Sequence, residues 1–213
     1  MDNDMIVIDI SMDISPDMPV YKGYKEKKPE FKVLGNYENG DSYNSSICLN
    51  MHTGTHLDAP LHMIEGGDNI ESFTVDKFLS DCQVLDLTET KIEDRITLQD
   101  LKSFDIKAGY FILLKTKNSF QERVEDFIFL AEDAAEYLIE KKIKGVGIDS
   151  LGIERAQAGH PTHKKLLANK NFILEGLRLN HVSAGDYTLL LAPLKIKGVE
   201  AAPCRALLFD YEK

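Results

Sequence analysis

The chain has 213 residues, 43% of them hydrophobic and 28% charged, with a formal net charge of −10. A chain of that length buries most of its unfolded surface, which predicts one domain over residues 1–213 that needs no staple to hold its core. The acidic balance and the lack of a basic stripe exclude a nucleic-acid surface, and no apolar stretch approaches a membrane span, so neither partner is expected.

In chain order, MIVIDI (5–10) predicts a strand from its β-branched residues, followed by a loop punctuated by Pro16 and Pro19. EFKVLG (30–35) alternates like a strand, as does SYNSSICLNMH (42–52), which runs straight into the segment HTGTHLDAPLH. TVDKFLSD (74–81) predicts a short helix capped by Thr74, and TLQDLKSF (97–104) another that starts at Thr97. CQVLDLT (82–88) and YFILLKT (110–116) have the length and apolarity of strands. EDAAEYLIEKK (132–142) reads as a helix: it has an acidic start, a basic end and apolar Ala135, Leu138 and Ile139 at the helical period, with Gly145 as its stop. GVGIDS (145–150) follows as a buried strand. A further helix is expected near Pro161, and FILEGLRL, DYTLLLAPLKI and CRALLFDY supply late strands. Strands thus outnumber helices in a single mixed domain, and the scarcity of long β–α alternation argues against a doubly wound sheet or a TIM barrel.

Cys48, Cys82 and Cys204 are widely separated and odd in number, and each lies in an apolar run, so they read as buried, inert thiols. The acidic start MDNDMIVIDI lacks a basic n-region and a long apolar h-region, so no secretory signal is predicted and a cytoplasmic location is expected.

HTGTHLDAPLH (52–62) gathers three of the six histidines of the chain. On a strand, residues two apart share a face, so His56 and Asp58 can aim at one ion. His52 can join them if Gly54 lets the backbone bend, and Pro60 then fixes the chain before His62. Gly54 and Pro60 discourage the helical His-Glu-x-x-His arrangement of zinc proteases. Two imidazoles and a carboxylate suit zinc, or manganese where more oxygen ligands exist. The alternative is a set of surface histidines around an ordinary Thr-Gly-Thr turn.

Two later positions bear on the same chemistry. His163 falls in the first turn of the helix expected near Pro161, and Glu175 interrupts an apolar strand twelve residues on. A buried carboxylate needs a partner, which a metal or an arginine such as Arg178 would supply. Asp149 and Ser150, at the end of the strand GVGIDS, either begin the next turn or touch substrate.

HTGTHLDAPLH resembles the signature of the cyclase-like family of metal-dependent hydrolases, whose best-known members are bacterial kynurenine formamidases and isatin hydrolases. IDISMDISPDMPVYKG, GVGIDS, HKKLLANKNFILEGLRL and DYTLLLAPLKIKGVEAAPCRALL are similar to its opening, central, second metal and closing segments. The resemblance implies an α/β fold with a barrel-like β core and flanking helices, of the swivelling β/β/α type, and a homodimer or homotetramer. It implies one or two ions, Zn2+ foremost and Mn2+ as the alternative, with His52, His56 and Asp58 as the first ligand group. Asp58 would bridge to a second ion held by His163 and Glu175, and His62 matches the catalytic proton shuttle. His160 competes with His163, but lies fifteen residues before Glu175 rather than twelve. The implied activity is hydrolysis of a small amide-type C–N bond, arylformamidase-like, with lactam or ester hydrolysis or cyclase chemistry as alternatives; a non-catalytic metal- or ligand-binding protein is a further one. The chain has no tryptophan, so Tyr21, Tyr24 or Phe31 would have to stack on an aromatic substrate, and Ala201 and Ala202 stand where relatives often carry Gly-Ser.

Overall fold

The computed structural model describes residues 5–121 and 124–211, and builds them around a closed, barrel-like sheet. Its strands are β1 (Met5–Asp9), β4 (His56–Asp58), β5 (Leu79–Asp86), β7 (Phe111–Lys115), β9 (Gly145–Ile148), β10 (Phe172–Glu175), β11 (Gly185–Pro193) and β12 (Ala201–Tyr211). Between them come a hairpin of β2 (Glu30–Gly35) and β3 (Asn44–Cys48), and a short parallel pair, β6 (Arg95–Ile96) with β8 (Phe129–Leu130). Three α-helices are present among the described residues: α1 (Leu98–Leu101), α2 (Glu132–Glu140) and α3 (Pro161–Ala168).

The sheet order is β1-β12-β11-β5-β7-β9-β10-β4, and a further pairing of β4 with β12 closes the last seven into a ring. β5, β7, β9 and β10 run parallel, whereas β11, β12 and β4 complete the ring with antiparallel pairs. This is the mixed α/β architecture with a barrel-like core that the sequence led us to expect. The β–α alternation is present but abbreviated, since α1, α2 and α3 connect the parallel strands with only four, nine and eight residues.

Two apolar cores explain the unbroken hydrophobic runs. Along β7, Phe111 and Leu113 join Leu57, Leu174, Leu189 and Leu208 in one cluster, while Ile112 and Leu114 join the cluster that includes Ala135 and Leu138 of α2 and Leu166 and Leu167 of α3. A parallel strand covered on both faces has no polar side to display, so its periodicity is invisible.

Local chemistry sets the helix ends. Thr97 and Asp100 form a capping box at α1. α2 buries Ala134, Ala135 and Leu138, with Ile139 half-buried. It ends at Glu140, with Lys141 as its cap and Lys142 left-handed behind it (φ 59°), and not at Gly145, the first residue of β9.

Other expectations need correction. Only Val75–Phe78 of the segment 74–81 is helical, as one 3-10 turn without a side-chain cap from Thr74, and β5 begins at Leu79 because Leu79 pairs with Leu190 of β11. Cys82 and Cys204 are buried, but Cys48 is exposed, because β2 and β3 pair with each other and stay outside the barrel. Burial raises the Cys204 thiol to about 12 and pushes Cys82 well above its ordinary value. No helix among the described residues is long and apolar enough to cross a membrane.

Candidate metal centre

β4 lies between β10 and β12, with His56 opposite Glu175 and Asp58 opposite Ile173 on one side, and Asp58 opposite Ala201 on the other. Residues paired directly across antiparallel strands share a face. The register therefore brings Glu175 to His56, and the two-residue period adds Asp58 to the same face.

The chain enters β4 through a tight turn. Gly54 is left-handed (φ 66°), which swings His52 back over the strand. Thr55 holds this turn: its hydroxyl donates to the Gly176 carbonyl at 2.7 Å and accepts from the Met12 backbone N–H at 2.7 Å. After β4, a 3-10 turn that starts at Pro60 delivers His62. His163 comes from the first turn of α3, behind a loop in which Ala156, Gly159 and His160 are all left-handed.

All six predicted side chains meet here. Asp58 Oδ1 lies 3.1 Å from His52 Nδ1 and 3.5 Å from His56 Nε2, and Asp58 Oδ2 lies 3.8 Å from His163 Nε2. Glu175 faces His56 Nε2 and His163 Nε2, both at 3.3 Å. The His62 ring centroid is 4.3 Å from that of His52 and 5.5 Å from that of His163. Glu175 also accepts from the Ile153 backbone N–H at 2.5 Å. Arg178 points a guanidinium nitrogen at the Leu177 carbonyl and lines a different cavity.

Whether this set suits a cation is decided by its unsatisfied atoms. Asp58 is fully buried, yet neither carboxylate oxygen makes a hydrogen bond of acceptable geometry, and His56 Nε2 has none either. Buried charge without such partners costs several kcal/mol unless something else compensates. The donor atoms of His52, His56 and Asp58 lie within 4.8 Å of one another, as do those of Asp58, His62 and His163. Asp58 is common to both groups, and His62 is the least buried member of the second. A ring nitrogen of His56, Nδ1, faces the Gly54 carbonyl at 3.0 Å, which leaves Nε2 turned towards the carboxylates.

Protons do the compensating when no ion is bound. Burial alone would lower the His56 imidazole, but the Glu175 carboxylate 3.3 Å from Nε2 and the charge of Asp58 outweigh it and raise the pKa to about 9. His163 rises to about 10 against the same burial, through hydrogen bonds to Glu154 and Glu175. Burial would raise both carboxylates, yet the surrounding imidazoles hold Asp58 low and Glu175 well below the usual range. His62 differs: burial holds its pKa below 6.5, the nearby charge of Asp58 only partly opposing it.

The cluster floors a pocket of about 170 Å³ whose walls include Tyr21, Lys27, Met63, Leu151 and His160. Of the three candidate stacking residues, Tyr21 lines it, whereas Tyr24 and Phe31 do not and are largely exposed. His160 stands at the wall with its ring centroid 6.1 Å from that of His163. Asp149 does not serve a turn of its own segment. It is buried and accepts from the Thr116 and Ser119 backbone N–H groups and hydroxyls and from Asn118, which fixes the loop after β7. Ser150 does fit turn chemistry, donating to the Gly152 carbonyl at 2.8 Å. Both line a separate cavity of about 240 Å³.

Two residues at the site were not anticipated. Glu154, buried, contacts His163 Nδ1 at 2.6 Å, and Glu200 contacts His52 Nε2 at 3.4 Å. Neither sits at a periodic position or in a recognisable motif, so only the folded chain brings them in.

The family model named Cyclase, described as "Putative cyclase", matches residues 8–155. A kynurenine formamidase of Salinibacter ruber is 30% identical over 210 residues, covering 97% of this chain and 98% of that protein. A solved structure of a predicted metal-dependent hydrolase from Bacillus stearothermophilus is 50% identical, with a TM-score of 0.88 over 97% of this chain and 99% of the other. An isatin hydrolase bound to the product analogue thioisatinate superposes with a TM-score of 0.84 at 25% identity, over 98% and 93% of the two chains. The matched sequence, the barrel closed by β4 and the histidine–carboxylate cluster agree, and the chain belongs to the Cyclase family of cyclase-like hydrolases.

Proposed function

We propose that this chain is a metal-dependent hydrolase of a small amide-type C–N bond, arylformamidase-like. In this reading His52, His56 and Asp58 hold one ion, while His163 and Glu175 hold a second that Asp58 shares. Zinc suits this mixture of imidazole and carboxylate donors, and manganese is the alternative. The observation that carries the reading is the fully buried Asp58 carboxylate, with both oxygens lacking hydrogen-bond partners amid converging imidazoles. When bound, such an ion lowers the pKa of a coordinated water and polarises a carbonyl.

The residues of the chain supply the remainder. His62 lies beside the cluster rather than within the β4 ligand face, and burial favours its neutral form. It can take a proton as water attacks the carbonyl carbon and return it to the leaving nitrogen as the C–N bond breaks. Tyr21 offers an aromatic wall, and the pocket of about 170 Å³ admits a molecule of one or two rings. The kinship with a kynurenine formamidase supports an N-formyl aryl amide as substrate. A lactam is the second reading, supported by the isatin hydrolase likeness and by the identical carbonyl chemistry of a cyclic amide.

The test combines elemental analysis with a panel of formanilides, lactams and esters, using wild type and His62→Ala. The expected result is a bound divalent metal, hydrolysis of a formanilide or lactam, and a loss of turnover in His62→Ala that leaves metal content unchanged. A protein that binds metal but turns over no member of the panel is a binding protein, and the hydrolase assignment falls. Full turnover by His62→Ala removes the proton shuttle.

A further inference from the structure

Glu154 is the buried charge at this site that the proposed chemistry does not use. It is 2% exposed, and one oxygen, Oε2, receives two bonds from the same residue: the His163 backbone N–H at 2.7 Å and His163 Nδ1 at 2.6 Å. His163 is the third residue of α3, so its N–H is one of those that a helix cannot satisfy internally. The residue before the helix, His160, is left-handed and provides no side-chain cap. A carboxylate from the preceding loop fills that role, and the helix dipole favours its charge there.

The second bond has a chemical consequence. Oε2 already accepts from the His163 backbone N–H, and the same oxygen set 2.6 Å from Nδ1 assigns the ring proton to Nδ1. The remaining nitrogen, Nε2, is the one turned to Glu175 at 3.3 Å and Asp58 at 3.8 Å. A neutral His163 then presents a lone pair to the ion position, in a ring clamped at two points. We propose that Glu154 is a positioning residue of the metal centre, holding His163 in the tautomer and orientation that bind the second ion. The proposal rests on the metal-dependent reading of the cluster. Carboxylates behind ligating imidazoles typically contribute 10–100-fold to metal affinity, which sets the expected size of the effect at about that range.

A helix cap alone would make the same contacts, and the experiment separates the two roles. Metal-free wild type, Glu154→Gln, His163→Asn and the double variant are titrated with Co2+ against a chromophoric chelator, and the d–d absorption of each loaded protein is recorded. The expected result is that Glu154→Gln weakens, by about 10–100-fold, the Co2+ binding step that His163→Asn abolishes, and changes the absorption band. Added to His163→Asn, it should not alter the remaining step. A lowered unfolding midpoint with wild-type Co2+ affinity and spectrum would make Glu154 a cap only and overturn the proposal. So would a loss that recurs in full on the His163→Asn background. Should Glu154→Gln fail to fold, nitrogen-15 NMR of the wild type loaded with diamagnetic Zn2+ decides, with the His163 signal assigned by its absence from His163→Asn. A protonated Nδ1 with metal-bound Nε2 supports the proposal, and the opposite tautomer refutes it. If wild type takes up no Co2+, the hydrolase reading fails along with this one; uptake by wild type with unaltered binding in Glu154→Gln sinks the role of Glu154 alone.

Discussion

Gly176→Ala is the sharpest test of how the barrel closes on the site. Gly176 follows Glu175 with φ 72°, and a Cβ built on it would sit 2.4 Å from the Gly54 carbonyl oxygen and 2.9 Å from its carbon. A left-handed alanine costs about 1–2 kcal/mol from its own backbone. Overpacking adds about 1–3 kcal/mol, because the obstructing atoms are backbone and cannot rotate aside. Gly159→Ala is the control: it is also left-handed (φ 81°), but a Cβ there meets nothing within 4 Å, so only the conformational cost applies. The expected destabilisation is about 1–2 kcal/mol for Gly159→Ala and about 2–5 kcal/mol for Gly176→Ala, the latter lowering the melting midpoint by about 4–20 °C. Relief of the clash must push the Gly54–Thr55 turn away from β10, which separates His56 from Glu175. The stabilisation conferred by added Zn2+ should therefore shrink in Gly176→Ala and stay at the wild-type value in Gly159→Ala. Denaturant unfolding with and without Zn2+ measures both effects. Equal destabilisation of the two variants with equal response to Zn2+ would refute the close approach of these segments.

Without metal, stability should peak in weak acid. The raised pKa values of His56 (about 9) and His163 (about 10) contribute fully below 6.5 and are lost as pH rises through those folded values, whereas Asp58 and Glu175, held low, contribute above their ordinary values of 3.8 and 4.5 and lose that as pH falls. Unfolding midpoints in a chelator should be highest at about pH 5–6.5, and bound Zn2+ should shift the optimum to higher pH by displacing those protons; a chelated protein most stable near pH 9 contradicts this. Phe111→Ala removes a side chain 1% exposed inside the barrel and should cost about 3–5 kcal/mol by denaturant unfolding, an effect below about 1 kcal/mol being incompatible with that packing. A thiol reagent should label the native chain at Cys48 alone, since Cys82 and Cys204 are buried with raised pKa values; peptide mapping that finds either of them labelled under native conditions refutes the burial.

The legible parts of the fold were those whose signals are local. Pro161 marks the start of α3, Thr97 marks the start of α1, and the apolar spacing of Ala135 and Leu138 faces α2 inward. The errors arose where tertiary pairing overrides a local signal. Thr74 imitates a helix cap, but the ladder to β11 claims the chain from Leu79 onwards. Cys48 sits in an alternating run that looks like any half-buried strand, and alternation cannot say whether a hairpin joins the barrel or stands apart from it.

At the site the same division holds with more consequence. His56 and Asp58 could be paired on paper because the strand period of two is intrinsic to the backbone, and Gly54 announced the bend that returns His52. The meeting of His56 with Glu175 is different in kind: it depends on the register of β4 against β10, and a slip of one residue would turn Glu175 to the other face. That register is in turn pinned by groups without sequence signature, the Thr55 hydroxyl bridging Met12 to Gly176 and the glycine contact between positions 54 and 176. Glu154 illustrates the limit. A carboxylate in a loop of left-handed residues has no period to read, and its importance follows only from the two His163 donors that the fold sets against one of its oxygens. Ligands carried by regular elements can thus be found by spacing, while the groups that orient them from loops can be found only by tracing where each buried charge is satisfied.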